Sequence, residues 1–463
     1  MRLYYSRKEY RLILYTILFI LLVLYYLSPE QLSRPWILTA FVLFSIFALI
    51  RYLMHVKEKK STYSYLNHIV IFFLLSFVVT LQFPLDYVLG NTDLDYSFYF
   101  YSSKTITKSI YFSFLTLCSF LLGTTYWKEI SISSNRYSKE IKTKPFLYLS
   151  LICWFLFAFT INEDFLDNGH GIVAPNGFSI SMYGFYIRFA MIYIGLSVYN
   201  AKLKRNSSFL KSLSPIFVLS ILISAYMFLS AHNRLFMLTV CVPLLFAFII
   251  IKKWTISLGQ LIFMLFAAAV FMTFFKMYDL QTLGNEISLN VEDVSSLNRL
   301  KSYSPFTSEL AASIFSHTVL FDMWYNGTFL YGQTIIMGLL KVFPGVVPML
   351  FAVLNLDYMY TQSASFATQQ VGVGYGIGST AQADLLISVG LIMSVIGFGF
   401  LGKFCKKCNQ IFVLERVSPI LYVVSFSLAT QIMFLPRAVF SDVISIIIFN
   451  YLVTKYYLRF IGG

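Results

Sequence analysis

Four arginines stand out on one side of the apolar segments, and a charge in or beside such a segment is costly and so invites a functional explanation. Arg188 lies about one turn inside an apolar stretch, within Tyr186-Ile187-Arg188-Phe189. Arg234 occupies the short turn 230–234 between two apolar segments, beside His232. Arg299 falls in Leu297-Asn298-Arg299-Leu300-Lys301, and Arg437 in Leu435-Pro436-Arg437, with Asp442 about one helical turn later. A guanidinium keeps its charge at any working pH and offers phosphate oxygens a two-pronged donor, so four of them on one side suggest an anion site. Pairing with nearby acids, or snorkelling to lipid headgroups, would place arginines in the same positions.

Asp384 is the matching acidic anomaly, about one turn into another apolar segment. A carboxylate there either pairs with an arginine or serves as a base. Just before it runs Gly372-Val373-Gly374-Tyr375-Gly376-Ile377-Gly378-Ser379. Glycines let backbone amides approach an anion, and the following helix start adds a positive dipole end. No Gly-Lys-Ser/Thr follows, so this is not a Walker loop, and a flexible helix entry would look much the same.

Of the five histidines, His317 is the candidate base, lying near Glu309 and Asp322 on one short helical segment. An interfacial histidine without such a role fits that position equally. No histidine pair has metalloprotease spacing, and no serine elbow or Ser/His/Asp order occurs. Cys405-Lys406-Lys407-Cys408 lacks the second ligand pair that a zinc site needs. Neither a metal nor another cofactor is expected, and no disulfide.

The elements that must position these residues are membrane helices. The chain of 463 residues is 58% hydrophobic and only 12% charged, with mean hydropathy +0.72, too apolar for a soluble globule of this length. With about 20 apolar residues per crossing, spans are expected at 12–28, 36–54, 68–88, 109–127, 146–161, 183–200, 215–230, 235–251, 258–277, 380–402, 418–435 and 440–456. The fold class expected is therefore all-α and polytopic, about twelve helices, with both termini on one side. The basic start, Arg2, Arg7, Lys8 and Arg11, leads straight into the first span and is not expected to be cleaved.

The net charge of +14 is explained by membrane orientation, not nucleic acid. Lys57, Lys59, Lys60, Lys128, Arg136, Lys139, Lys142, Lys144, Lys202, Lys204, Arg205, Lys211, Lys252, Lys253, Lys403, Lys406 and Lys407 share one side. The positive-inside rule makes it cytoplasmic. Most acids lie opposite, among them Asp86, Glu163, Asp167, Glu286, Glu292, Glu309 and Asp322. Three regions follow: helices one to nine over 1–276, a large outer region over 277–379, and helices ten to twelve over 380–463. Within the outer region 308–325 reads as an amphipathic helix on the interface. The apolar stretch 334–354 is broken by Phe343-Pro344-Gly345 and Pro348, and counting it as a crossing would carry Lys403–Lys407 to the outer side. It is expected to be a re-entrant or interfacial hairpin.

Two patches carry a family resemblance. The first is Gly327-Thr328-Phe329-Leu330-Tyr331-Gly332, leading to Phe343-Pro344-Gly345-Val346-Val347-Pro348. The second is Gly376-Ile377-Gly378-Ser379-Thr380-Ala381-Gln382-Ala383-Asp384, followed by Ser388-Val389-Gly390-Leu391-Ile392. With the architecture, they resemble the Wzy-type O-antigen polymerases, which polymerise oligosaccharide repeat units; family members often carry Glu where Asp384 stands. The resemblance implies a GT-C-like membrane glycosyltransferase in the bacterial inner membrane, its active site facing the periplasm. It would use undecaprenyl-pyrophosphate-linked oligosaccharide, work among membrane lipids, and have a chain-length regulator as partner. Periplasmic arginines are essential in that family, a part suited here to Arg188, Arg234, Arg299 and Arg437, with Asp384 and His317 as catalytic candidates. A developing pyrophosphate charge stabilised by arginines needs no metal.

Two alternatives remain at this level. An O-antigen ligase shares the topology and donor but transfers to lipid A core. A flippase for the same lipid-linked glycan would commonly show internal repeats, and none is visible.

Overall fold

The computed structural model describes residues 7–57, 68–91, 105–126, 140–161, 177–204, 208–230, 234–254, 256–257, 259–270, 302–354, 362–372, 378–413 and 417–460. Among these residues there are helices and turns but no strands. The helices are α1 Arg7–Leu27, α2 Arg34–Lys57, α3 His68–Val88, α4 Ile106–Gly123, α5 Lys144–Thr160, α6 Gly177–Leu203, α7 Pro215–Ser230 and α8 Arg234–Ile251. After α9, Gly259–Val270, come α10 Ile314–Tyr325, α11 Gln333–Leu340, α12 Val346–Leu354, α13 Ser363–Val371, α14 Ala381–Val413, α15 Pro419–Gln431 and α16 Phe440–Phe460.

Among the described residues seven helices, α1 to α4, α6, α14 and α16, are long and apolar enough to cross a membrane. Shorter apolar helices, α5, α7, α8, α9 and α15, stand at the other five expected positions. The chain is thus a helical protein of membrane type.

Packing divides around two cores. In the first, α1, α2 and α3 gather with α4 and much of α14. In the second, α5 to α8 gather with α15 and α16. Every residue of α4 is buried. Close approach there depends on glycine: a Cβ on Gly123 would stand 1.9 Å from the Gly399 carbonyl oxygen, and one on Gly402 would stand 2.0 Å from that of Phe120. In lipid, helices gain little from burying apolar surface against each other, so backbone proximity of this kind supplies much of the attraction.

Polar contacts collect at two ends of the bundle. At one end Arg11 donates to the Thr125 carbonyl (2.5 Å), Arg51 to the Thr124 hydroxyl (2.9 Å), Lys202 to the Phe412 carbonyl (2.7 Å) and Tyr457 to the Lys142 carbonyl (2.8 Å). At the other, Arg34 donates to the Val88 carbonyl (2.8 Å), Thr105 to Asp322 (2.8 Å) and Tyr325 to Glu30 (2.7 Å). Each pair joins residues that the charge pattern puts on the same side.

The region before α14 differs from a surface helix followed by one plain span. α10 is not confined to an interface: Ile314, Phe315, Ser316, His317, Thr318, Leu320 and Phe321 are all buried, between α4, α13 and α14. Its polar side chains can be buried because each finds a partner: Ser316 and Thr318 donate to the backbone carbonyls of Ser313 and Phe315. The stretch 334–354 forms two helices of 8 and 9 residues, α11 and α12, each too short to cross. Gly345 turns the chain between them at φ 88°. α14 runs on to Val413, well past the expected end at 402, and it is interrupted at Gly390, where φ is 81° and ψ 174°.

Candidate functional site

The interruption at Gly390 organises the end of the bundle that carries Arg437. In a continuous helix the carbonyls of Ile387 and Ser388 would accept from the amides four residues on, Leu391 and Ile392. Here they accept instead from Leu330 (2.9 Å) and Gly332 (2.7 Å). Thr334 and Ser388 add a hydroxyl–hydroxyl bond. Broken helices at membrane depth survive only if the freed backbone groups are covered in this way. The cover is the stretch 327–332, so the two sequence patches, at 327–332 and 376–392, meet by backbone pairing. Gly332, at φ 76°, opens α11 directly beyond it.

The half-helix 381–388 that the break creates is buried on all faces, with Asp384 at 0% exposure. Its Oδ2 accepts the backbone N–H of Phe440 at 3.0 Å, the first residue of α16. The Ser363 and Thr334 hydroxyls flank the carboxyl. Oδ1 makes no well-formed hydrogen bond among the described residues, and the same holds for both amide atoms of Gln382 and the Ser441 hydroxyl.

Arg188 comes from α6 and is 8% exposed. Its Nη1 donates to the Gly184 carbonyl (3.0 Å), and its Nη2 to the Lys341 carbonyl (2.9 Å) and the Ser445 hydroxyl (3.3 Å). The guanidinium lies 5.7 Å over the Phe449 ring, and Asp442 acts on it as a favourable charge. Lys341, at the end of α11, closes the cluster with an ion pair of 2.9 Å to Asp442. Arg188 therefore ties α6, α11 and α16 together, and only Nε is left without a bond among the described residues.

His317, on α10, is buried at 0% exposure. Its Nδ1 meets the Thr380 hydroxyl and its Nε2 the Ser113 hydroxyl, each at 2.9 Å. Ser113 gives its own hydrogen to the Ser109 carbonyl (3.2 Å). Nε2 must then be the donor and Nδ1 the acceptor, a tautomer inferred from the network. Burial pulls the imidazole down to about 4. This neutral ring, its one lone pair held by Thr380, braces α10 between α4 and the start of α14, and in this arrangement offers no free acceptor.

Arg437 is different. It is exposed, in the turn Leu435–Arg437 between α15 and α16, and its side chain has no partner among the described residues. Leu435 and Pro436 beside it are buried, so the arginine is carried outward on a fixed turn. Arg234 opens α8, but its side chain lies outside the described residues, as does Arg299 altogether. Of the glycine run, Gly372 ends α13 at φ 71° and 373–377 lie outside the described residues.

The structure thus brings Asp384, Arg188 and the Arg437 turn into one neighbourhood around the start of α16, with His317 behind the half-helix. Lys341 was not singled out in the sequence; a lysine at the end of a broken apolar hairpin, facing an acid in the first turn of another helix, was the available signal. The Gly390 break was also missed, although Ser388-Val389-Gly390 stood within a quoted patch. Among the described residues no three His, Cys, Asp or Glu side chains group as metal ligands. The chain matches no family model, no curated protein and no solved structure.

Proposed function

We propose that this protein is an O-antigen polymerase of the Wzy type. In this reading the chain crosses the inner membrane twelve times in a GT-C-like architecture, with both termini cytoplasmic and the Arg437 end facing the periplasm. The growing glycan is transferred from undecaprenyl pyrophosphate to a hydroxyl at the non-reducing end of a new lipid-linked repeat unit. The bond from the anomeric carbon to the pyrophosphate oxygen breaks, a glycosidic C–O bond forms, and the hydroxyl proton passes to the departing pyrophosphate. Charge builds on the departing pyrophosphate, which is where a fixed guanidinium lowers the barrier.

The observation that carries the reading is Arg437: exposed, unpartnered among the described residues, and held on a rigid turn against the helix start that Asp384 touches. Lys341 is paired with Asp442, and the Arg188 guanidinium is engaged by the Gly184 and Lys341 carbonyls and the Ser445 hydroxyl, so both contribute structure and local field more than an open anion seat. Arg234 and Arg299 complete the cationic set in this reading.

The test uses a strain whose own polymerase is deleted, so that it makes single-repeat O-antigen. The wild-type gene should restore a glycan ladder. Arg437→Ala should abolish it at normal protein abundance, and Arg437→Lys should rescue poorly, because an ammonium cannot reproduce the fork. A ladder of wild-type length from Arg437→Ala would remove the anion-site assignment; attachment of glycan without lengthening would indicate a ligase. The broken α14 favours one second reading, since discontinuous helices are common in transporters. Purified protein in liposomes that moved lipid-linked sugar between leaflets without elongating it would establish that reading instead.

A further inference from the structure

We infer that Asp384 is a positioning residue: it caps the start of α16 from another helix, and so holds the turn that presents Arg437. The first amides of any helix lack partners within it, and a side-chain acceptor just before the helix ordinarily supplies one. The residue before α16 is Val439, which has no acceptor, and Ala438 has none either. The acceptor comes from 56 residues away, as Asp384 Oδ2 to the Phe440 N–H at 3.0 Å. A carboxylate at this place also meets the positive end of the α16 dipole, which compensates in part for its burial.

The connection to Arg437 is short. Leu435 and Pro436 are buried on one side of the turn and Val439 on the other. The Arg437 N–H donates to the Phe434 carbonyl (3.1 Å) and the Ala438 N–H to that of Leu435 (3.3 Å). Both flanks are thus anchored in the core, and the Asp384 cap fixes where the second flank begins. The flanking Ser363 and Thr334 hydroxyls would receive an amide N–H as readily as they accompany a carboxylate. Capping requires an acceptor oxygen at this position; proton abstraction requires a carboxylate. Asparagine separates the two.

The inference deepens the polymerase reading, and its first readout does not depend on that reading. Full-length protein in nanodiscs is compared by amide hydrogen exchange over 435–445, for wild type, Asp384→Asn, Asp384→Ala, and Asp384→Ala combined with Val439→Ser, which supplies a local cap. Exchange should rise at least tenfold in Asp384→Ala, stay within about twofold of wild type in Asp384→Asn, and fall back in the double variant. Ladder formation in cells should follow the same order: kept by Asp384→Asn, lost or strongly shortened by Asp384→Ala, and recovered by the added serine. Unchanged exchange in Asp384→Ala would overturn the inference. So would an Asp384→Asn protein of normal abundance and normal exchange that forms no ladder, since only a proton acceptor behaves so. If even the wild type forms no ladder, the polymerase reading fails, while the exchange series still decides the cap.

Discussion

The Asp384 carboxylate and the Phe440 amide, 3.0 Å apart, join the buried half of a broken helix to the beginning of the last one. Asp384 sits in the first segment of α14, which Gly390 ends a turn and a half later, and that ending is tolerated because Leu330 and Gly332 cover the freed carbonyls.

Arg188 should act on stability before it acts on catalysis. Replacing it with alanine strips bonds from the Gly184 and Lys341 carbonyls and leaves Asp442 with Lys341 alone. Hydrogen bonds to a charged group contribute about 1.5 to 3 kcal/mol each, so Arg188→Ala should unfold at clearly lower temperature in detergent and accumulate poorly in membranes. A variant of normal abundance and melting temperature that forms no polymer would instead make Arg188 a direct ligand of the pyrophosphate.

The Lys341–Asp442 pair is partly open to solvent, at 18% and 40% side-chain exposure. Its worth should be small, about 1 kcal/mol or less. Its effect should be on where α11 docks. Lys341→Asp and Asp442→Lys should each lower glycan length, and combining them should recover part of it, the remainder being lost because Arg188 no longer faces an acid at 442. A combined variant no better than the worse single one would show that the two residues act separately.

Sequence patterning foretold the long helices because twenty-residue apolar runs have few other solutions in lipid. The interior of the outer region was harder to read. α10 has the composition of an interfacial helix, yet Ser316, His317 and Thr318 are buried because Ser113, Thr380 and local carbonyls satisfy them. Long-range partners of that kind leave no trace in local periodicity. The Gly390 break was hidden for a similar reason: glycine is common in membrane helices, and only the backbone pairing to 330 and 332 reveals a true interruption. Arg437 was legible as an outward charge; that its neighbour across space is an acid capping α16 was not.

The α4–α14 crossing should tolerate no side chain at its two tightest glycines. A methyl group at Gly123 or Gly402 would fall within 2.0 Å of a backbone oxygen on the facing helix, and neither backbone can yield without moving a whole span. Gly402→Val and Gly123→Val should each cost about 3 kcal/mol or more and reduce folded protein in the membrane. Gly259, with nothing near its missing Cβ, is the control: Gly259→Ala should accumulate normally. Normal accumulation of both valine variants would mean that the two helices do not cross this closely.

His317 should make the protein sensitive to mild acid. Its folded-state value is about 4, against roughly 6.5 for an unfolded histidine, so between these values the unfolded chain binds the additional proton. Stability from this group is complete above about pH 6.5 and declines as pH falls toward 4. The melting temperature of the purified protein should therefore drop between pH 7 and pH 5. In His317→Gln part of that slope should disappear, since a glutamine can bridge Ser113 and Thr380 without titrating. Equal slopes for wild type and His317→Gln would show that the imidazole is not held neutral between α4 and α14, and would reopen its candidacy as a base.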